Sequence, residues 1–349
     1  TPAGPQKVIV IPGGGGSWNR DALLNCKTSG YEGNWTSWKK SDEVYKSLLQ
    51  NLDENGYASV PFYYDWRKQV TDTAGNLDSF IENNLSDGQT ADIVGHSLGG
   101  LVGRAYLEQE QANSHLEKLL TVGSPHQGTV FAYQAWSGGQ IIGDLNWRLA
   151  LTVLQVGCRL RYGWSARETI NNIFPSVQNI LPTFDYLRDS RTHVIKPVGG
   201  MQAQNSWLPT SFGSPFFGVT MGTLAGTGHD TLRMLQVTPP SRNDVRQGNW
   251  LDGKPTSRKE YADGDGTVLA ESSQLPDANN ITLPLDHGGL VSSQTGIDAI
   301  LGFLSGTPTL QSFSTLNLGT QGRPINPDDD ATALLIVVDG ANATLTDKD

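Results

Sequence analysis

The feature that most constrains the fold of this chain is a glycine-flanked serine turn between a buried strand and a helix. The apolar run Ala91–Gly95 predicts a strand. The sequence Gly-His-Ser-Leu-Gly-Gly occupies 95–100, and apolar residues at helical spacing follow over Leu98–Tyr106. Glycines on both sides of Ser97 let the backbone reverse sharply without a Cβ clash. The sequence therefore predicts an exposed serine on a tight strand-to-helix turn.

Short apolar runs alternate with amphipathic helices around this turn. Further strands are predicted at Lys7–Ile11, Tyr57–Tyr63 and Leu116–Val122, and helices at Ser41–Leu52 and Leu77–Leu85. A β-α-β-α-β order predicts an α/β fold, with a mainly parallel sheet and helices on both faces. Ligands of such sheets bind at the carboxyl ends of the strands, which is where the serine turn lies.

The alternation of strands and helices stops after residue 130, which indicates that an insertion divides the core into two halves. We assign 1–130 to the first half of the core, 131–208 to a mostly helical insertion called the cap, and 209–305 to the second half of the core. An irregular excursion is expected at 223–259. The Pro-, Gly-, Ser- and Thr-rich segment 306–349 is expected to be a linker with a β appendage, or the start of a further module.

Charge and hydropathy exclude two classes of partner. The chain has 349 residues, with 25 Lys and Arg against 35 Asp and Glu, so its formal net charge is −10. Such an acidic chain is a poor ligand for a phosphate backbone, and we expect no nucleic-acid partner. Its longest apolar runs fall far below the ~18 residues of a membrane helix, so no transmembrane segment is expected. Docking on a lipid surface remains open.

Cysteine and histidine usage argues against a metal centre. Cys26 and Cys158 are the only cysteines, and the sequence leaves open whether they pair or stay free. No His-x-x-x-His or Cys/His cluster is present, so we expect no metal cofactor, although structural calcium at the Asp-rich loops is left open. No other cofactor and no protein partner are implied. Few basic residues and abundant Gly, Ser, Thr and Asn favour an exported protein, secreted or periplasmic.

A serine nucleophile needs a base and an orienting carboxylate, and after such a turn the chain order is acid, then histidine. Of the six histidines, His287 alone lies late enough to follow an acid beyond the cap. The loop Tyr261–Val268 offers Asp263 and Asp265, and Asp265 is favoured because it directly precedes Gly-Thr-Val. Asp286 is rejected because its side chain would project away from the neighbouring imidazole.

Two backbone N–H groups are predicted to hold an oxyanion. One is that of Leu98, the residue after the serine, and the other comes from the glycine-rich loop 12–17 after the first strand. A Walker A motif is excluded because no Gly-Lys-Ser/Thr follows, and no dinucleotide fingerprint fits. His96, inside the turn, is expected to be a packed or hydrogen-bonded imidazole.

Tryptophans in the cap have two interpretations. They could line an acyl-chain groove or a lid that faces lipid, or they could be ordinary packing of a helical insertion. The sequence does not separate these readings. The candidates for substrate contact are Trp136, Trp147 and Trp164.

With these residues in view, the chain resembles the lecithin:cholesterol acyltransferase family, and in particular its bacterial members. The resemblance spans roughly Lys7 to Leu304. Tyr-Asp-Trp-Arg combined with Gly-Asp-Gly-Thr-Val is far more specific than the serine turn alone. The matching motifs, in chain order, are Val8-Ile-Val-Ile-Pro-Gly13, Leu52-Asp-Glu-Asn-Gly-Tyr57, Tyr64-Asp-Trp-Arg67, Gly95-His-Ser-Leu-Gly-Gly100, Gly123-Ser-Pro-His-Gln-Gly128 and Asp263-Gly-Asp-Gly-Thr-Val268.

The resemblance implies an α/β-hydrolase fold with a cap, and ester chemistry on lipid-like acyl groups by hydrolysis or transfer. It implies that Ser97 is the nucleophile, Asp265 the acid and His287 the base, and it places the second oxyanion donor at Gly14. The paired N-terminal cysteines of the animal enzymes are not matched, because Cys26 has no close partner in the sequence.

The expected function is therefore a serine hydrolase of lipid-like esters that works through an acyl-enzyme on Ser97. In the motif Tyr64–Arg67, the sequence predicts a structural role, with Trp66 packed and Arg67 paired to a carboxylate. The alternatives are a small-ester carboxylesterase or deacylase of a non-lipid substrate, and a non-catalytic binding module on a hydrolase fold. All three predicted triad members are present, which argues against the binding module.

Overall fold

The structure is a computed structural model that describes most of the chain. In the cap helix that begins at Leu145, side chains are described from Leu151 onward. The expected linker and appendage at 306–349 lie outside the described residues, apart from Gly306. The described residues are 4–86, 88–109, 115–141, 145–205, 207–208 and 218–306.

The described elements are twelve strands and eleven α-helices. The strands are β1 (Lys7–Ile11), β2 (Ser17–Trp18), β3 (Thr36–Ser37), β4 (Ala58–Pro61), β5 (Ala91–His96), β6 (Leu116–Val122), β7 (Leu187–Asp189), β8 (Ile195–Lys196), β9 (Thr220–Gly226), β10 (His229–Thr238), β11 (Lys254–Gly264) and β12 (Asn279–Leu283). The helices are α1 (Arg20–Leu24), α2 (Lys39–Glu54), α3 (Val70–Asn84), α4 (Leu98–Gln109), α5 (Phe131–Gly138), α6 (Leu145–Tyr162), α7 (Ala166–Ile173), α8 (Ser176–Asn179), α9 (Arg242–Arg246), α10 (Gly289–Ser292) and α11 (Gln294–Ser305).

A six-stranded sheet forms the core, with strand order β12-β9-β6-β5-β1-β4. Every neighbouring pair in it is parallel, which confirms the predicted α/β class. The β4 strand ends at Pro61 and lies at the edge, where a residue without an N–H can be accommodated. Parallel strands bring their carboxyl ends to one side of the sheet, and the loops that follow β1, β5, β6 and β12 meet there.

Helices cover both faces of this sheet, as the alternation predicts. Successive residues of β1 point to opposite faces. Ile9 and Ile11 belong to a core cluster with α3 and α4, whereas Val8 and Val10 belong to a second cluster with α2 and α11. The middle strands of the sheet, such as β1 and β5, are therefore buried on both sides, which explains why they appear in the sequence as continuous apolar runs.

A second sheet, of order β11-β10-β7-β8, corrects one expectation. The segment 223–259 is not irregular, because it holds the end of β9, all of β10 and α9, and half of β11. Bulges between Leu232 and Met234 and between Leu235 and Val237 break the alternation that would reveal β10 in the sequence. Leu235 pairs with Leu187 of the cap, so the cap and the excursion share one layer.

The cap is tied to the core by a disulfide. Cys26, just after α1, is bonded to Cys158 of α6, a pairing that the sequence left open. The hydroxyl of Tyr162, at the end of α6, also donates to the carbonyl of Cys26 at 3.2 Å. None of the helices in the described ranges is both long enough and apolar enough to cross a bilayer.

Candidate active site

Ser97 lies between the last residue of β5 and the first residue of α4, with its backbone in the left-handed region at φ 53°. A non-glycine residue rarely adopts this conformation, and such strain is concentrated at functional sites. The N–H of Ser97 donates to the carbonyl of Val122, the last residue of β6, at 2.8 Å. Ser97 is half-buried, whereas the residues on either side of it are buried. The predicted serine on a tight strand-to-helix turn is present, but it is half-buried rather than exposed.

The glycines of this turn are required by close backbone approach. A Cβ on Gly95 would lie 2.6 Å from the Cα of Gly100. A Cβ on Gly99 would lie 2.7 Å from the carbonyl oxygen of Pro12 and 2.8 Å from the carbonyl carbon of Ile11. Real side chains do not tolerate such contacts, so the two glycines let α4 start directly against the end of β1.

The glycine-rich loop after β1 lies against the serine turn. A Cβ on Gly13 would be 3.1 Å from the Cβ of Ser97, and one on Gly14 would be 3.5 Å from the Leu98 side chain. Within the described part of the chain, the N–H groups of Gly14 and Leu98 donate to no protein acceptor, whereas the N–H of Gly13 donates to the Tyr45 hydroxyl at 2.9 Å. Of these three N–H groups, those of Gly14 and Leu98 can bind a ligand oxygen.

Asp265 and His287 form a buried hydrogen-bonded pair. Nδ1 of His287 lies 2.7 Å from Oδ2 of Asp265, and their side chains are 8% and 0% exposed. The other oxygen of Asp265 accepts from the N–H groups of Thr267 and Val268 at 2.8 and 2.6 Å. The backbone N–H of His287 also donates to the Asp265 carbonyl at 3.0 Å. Three hydrogen bonds thus fix the carboxylate toward the imidazole, and a fourth joins the two backbones.

The two other acids near the site have other partners. Asp263 accepts from the N–H of Gly228 at 2.6 Å, and Asp286 accepts from the N–H of Gly289 at 2.6 Å. Asp265 is therefore the member of the predicted pair Asp263 and Asp265 that the fold brings to His287.

His287 lies at the strand ends next to the serine turn. Its ring centroid is 4.7 Å from that of His96, the residue before Ser97. A Cβ on Gly123, which follows β6, would be 3.1 Å from His287 Nδ1 and 3.2 Å from Asp265 Oδ2. The loops after β5 and β12 of the central sheet and after β11 of the second sheet thus bring a serine, an imidazole and a carboxylate to the carboxyl ends of the central strands.

Two opposing effects act on the pKa of His287. Burial lowers it, but the charge of Asp265, the hydrogen bond that the ring donates to Asp265 and the charge of Asp286 raise it, and the net pKa lies above the usual 6.5. An imidazole with a raised pKa is a stronger proton acceptor, which suits a general base.

Tyr45 is a site residue that the sequence did not single out. It lies on the buried stripe of α2, where the sequence counts it as an apolar residue, yet its hydroxyl contacts both Gly13 and His96. The sequence feature that could have identified it is a tyrosine, whose hydroxyl is polar, on a helix stripe otherwise made of leucines.

The chain is similar to the lecithin:cholesterol acyltransferase family. The model of that family matches residues 33–193, a range that includes the serine turn and most of the cap. This match confirms the resemblance drawn from the motifs, and it supports an ester hydrolase or acyltransferase.

Solved structures similar to this chain include a lipase, a thioesterase domain and a protein from Listeria. The mature lipase BlEst2 of Bacillus licheniformis is 16% identical, with a TM-score of 0.42 over 87% of this chain and 92% of that one. The lin2722 product of Listeria innocua is 14% identical, with a TM-score of 0.39 over 87% and 96%. The thioesterase domain of NocB from the nocardicin cluster is 13% identical, with a TM-score of 0.39 over 87% and 96%. None of the curated proteins compared with the chain matches it.

The strand order and the turn at Ser97 give this chain the α/β-hydrolase fold. Within the described ranges, no group of three or more His, Cys, Asp or Glu side chains could hold a metal ion.

The family motif at 64–67 supports the glycine-rich loop. Arg67 forms a two-pronged pair with Asp65, with N–O distances of 2.7 and 2.8 Å. The indole N–H of Trp66 donates to the carbonyl of Ser17, and the Tyr64 hydroxyl donates to that of Pro12 at 2.9 Å. The predicted pairing of Arg67 and packing of Trp66 are confirmed. The motif thus holds the backbone of the glycine-rich loop at Pro12 and Ser17.

The cap tryptophans have packing partners. Trp136 is half-buried against the cluster that joins the cap to the second sheet. Trp164 stacks on Tyr162 with ring centroids 4.4 Å apart. The side chain of Trp147 lies outside the described residues. Contact of these three residues with a substrate stays a prediction.

Proposed function

We propose that the chain is a serine hydrolase of carboxylic esters of lipid-like substrates, of the lipase, phospholipase or acyltransferase type. The observation that carries the proposal is the buried bond between Asp265 and His287, next to a serine held at positive φ. Such a serine needs a base to accept its proton and a carboxylate to orient that base. The similarity to the acyltransferase family supplies the preference for lipid-like esters.

In the proposed first step, Oγ of Ser97 attacks the ester carbonyl carbon and its proton passes to Nε2 of His287. Asp265 keeps the proton on Nδ1 and stabilises the imidazolium that forms. The N–H groups of Leu98 and Gly14 hold the negative charge of the tetrahedral intermediate. The leaving alcohol takes the proton from His287, and the acyl group remains on Ser97.

In the proposed second step, water or an alcohol attacks the acyl-enzyme and gives its proton to His287. The tetrahedral intermediate collapses, the carbon–Oγ bond breaks, and the proton returns to Ser97. Water as acceptor yields a carboxylic acid, and an alcohol yields a new ester. The same residues serve both acceptors, so the class includes hydrolysis and transfer.

We further propose that the protein works at a lipid surface. Val153, Val156 and Leu160 follow one another at helical spacing on α6 and are 69%, 42% and 82% exposed. Arg159 and Arg161 are exposed beside them, in a chain whose net charge is −10. An exposed apolar stripe flanked by arginines is typical of helices that lie on anionic membrane surfaces.

A secreted or periplasmic location is part of the proposal. The bond between Cys26 and Cys158 supports it, because disulfides persist in oxidising compartments and are rare where glutathione keeps thiols reduced.

The decisive experiment measures hydrolysis of p-nitrophenyl esters, from acetyl to palmitoyl, by the wild type, Ser97→Ala and the control Ser79→Ala. Ser79 is exposed on α3, so its variant should match the wild type. We expect a preference for long acyl chains and a loss of at least about 10³-fold in Ser97→Ala.

Each other outcome has a definite meaning. Activity on acetyl and butyryl esters alone would favour a small-ester esterase. Full activity in Ser97→Ala would overturn the assignment of the nucleophile. A folded wild type that is inactive on every ester, with and without anionic vesicles, would favour a non-catalytic binding module.

A further inference from the structure

A chain of three buried hydrogen bonds joins the two loops on either side of Ser97. The N–H of Gly13 donates to the Tyr45 hydroxyl at 2.9 Å. That hydroxyl lies 2.7 Å from Nδ1 of His96. Nε2 of His96 lies 3.1 Å from the backbone carbonyl oxygen of His287. The glycine-rich loop and the histidine loop are thus connected through a tyrosine of α2 and the residue that precedes the serine.

The direction of every bond in this chain is determined. A carbonyl oxygen only accepts, so Nε2 of His96 carries the hydrogen that points to His287. Burial, and next the charge of His287, lower the pKa of His96 to about 3, so the ring is neutral and carries one N–H. Nδ1 must then accept from the Tyr45 O–H. The Tyr45 oxygen in turn accepts from the N–H of Gly13, so the donor and the acceptor of each of the three bonds are assigned.

We propose that Tyr45 and His96 are positioning residues, which fix the backbone of His287 and the glycine-rich loop relative to Ser97. This inference rests on the proposed roles of Ser97, His287 and Gly14. It also explains why Gly14 supplies the oxyanion donor, because the N–H of the preceding Gly13 is already bonded to Tyr45.

This chain of hydrogen bonds sets two positions on which the proposed reaction depends, that of the His287 ring and that of the Gly14 N–H. Bonds at the backbone of His287 set where its ring lies, and bonds at Gly13 set where the next N–H points. A displacement of about 1 Å in such groups costs about 10²-fold in rate. Neither Tyr45 nor His96 has to touch the substrate, so substrate binding should be nearly unchanged when they are altered.

The principal test is Tyr45→Phe, which removes the hydrogen bonds of the hydroxyl with Gly13 and His96 and leaves the ring in place. We expect kcat to fall by about 10-fold or more with KM almost unchanged. Tyr133→Phe is the matched control. Its buried hydroxyl donates to the carbonyl of Gly253 at 2.6 Å, in the apolar cluster that joins the cap to the second sheet. The control should lower the melting temperature by a similar amount and leave kcat within about 2-fold.

Variants of His96 distinguish positioning from packing. His96→Gln offers an amide oxygen to Tyr45 and an amide N–H to the His287 carbonyl, so it should recover most of the kcat that His96→Leu loses. The double variant Tyr45→Phe/His96→Leu should be no slower than His96→Leu alone, because His96→Leu already interrupts the series of hydrogen bonds to which Tyr45 belongs. Equal losses in His96→Gln and His96→Leu, or fully additive losses, would overturn the proposal.

A measurement that needs no turnover separates this inference from the proposed function. The imidazole ¹⁵N shifts of His96 should show one neutral tautomer, with hydrogen on Nε2, in the wild type and a mixture in Tyr45→Phe. A mixture already present in the wild type would refute the bonding chain. A single tautomer in a protein without esterase activity would refute the proposed function and leave the chain of bonds intact.

Discussion

The serine turn and helix α6 of the cap are built in opposite ways. At the turn, glycines are forced by backbone contact, since a Cβ on Gly99 would strike the loop after β1. In α6, a Cβ on Gly157 would meet nothing within 4 Å, and apolar residues such as Leu160 face outward. The turn is held against the loop after β1 and the last residue of β6. The helix is held on one side, where a disulfide joins Cys158 to Cys26.

This difference matches the two tasks of the proposed enzyme, which are to position the reacting groups and to bind a lipid surface. Groups that react have to be fixed to within a fraction of an ångström, which close-packed strand ends can provide. A surface that binds lipid has to stay exposed, and it requires only an apolar stripe flanked by basic residues.

Asp265→Asn should give the largest effect, because it acts on the fixed side. Asn can keep Oδ1 for Thr267 and Val268, but its amide would face His287 Nδ1 and force the wrong tautomer. We expect kcat to fall by about 10³-fold or more. Asp286→Asn, one residue before His287, should stay within about 3-fold. Similar ester turnover in the two variants would remove Asp265 from the proposed triad.

Gly99→Ala and Gly157→Ala compare the two regions directly through stability. The first introduces a Cβ against the backbone of Ile11 and Pro12, and it should lower the free energy of unfolding by roughly 3 kcal/mol or more. The second replaces glycine in an open helical position and should raise that free energy by about 1 kcal/mol. Urea denaturation measures both. Equal changes in the two variants would contradict the contrast.

The double variant Cys26→Ser/Cys158→Ser tests the attachment of α6. The bond closes a sequence separation of 132 residues, and its loss should cost roughly 2–4 kcal/mol of unfolding free energy. Turnover of short soluble esters should remain, because Ser97 and His287 are held by the central sheet. Binding to anionic vesicles should weaken as α6 loses its anchor. Loss of short-ester turnover in a protein that is still folded would show that the two regions are not independent.

The smallest expected effect is a shift in the pH dependence. The proposed base works as neutral imidazole, so kcat/KM should fall as the pH falls through the raised pKa of His287, with a midpoint above pH 6.5. The charge of Asp286 contributes to that raised pKa. Asp286→Asn should therefore move the midpoint down slightly, and an upward shift would contradict the stated cause.

Local pattern was enough for much of the central sheet. The β1 strand and the β6 strand lie where the apolar runs predict them, because residues buried on both faces give uninterrupted apolar stretches. Ser97 was found because the spacing of its glycines reflects a backbone requirement of the turn itself. The second sheet escaped prediction because its longest strand, β10, is bulged and pairs with a strand of the cap.

The α/β class and the serine turn follow from residues close together in the chain, and the chemistry of the serine sets the chain order of the acid and the histidine. The folded structure was needed to show that Asp265 is the acid that meets His287, that Cys26 bonds to Cys158, and that Tyr45 reaches His96. These are contacts between segments far apart in the chain, and no local periodicity encodes which distant partner a side chain will meet.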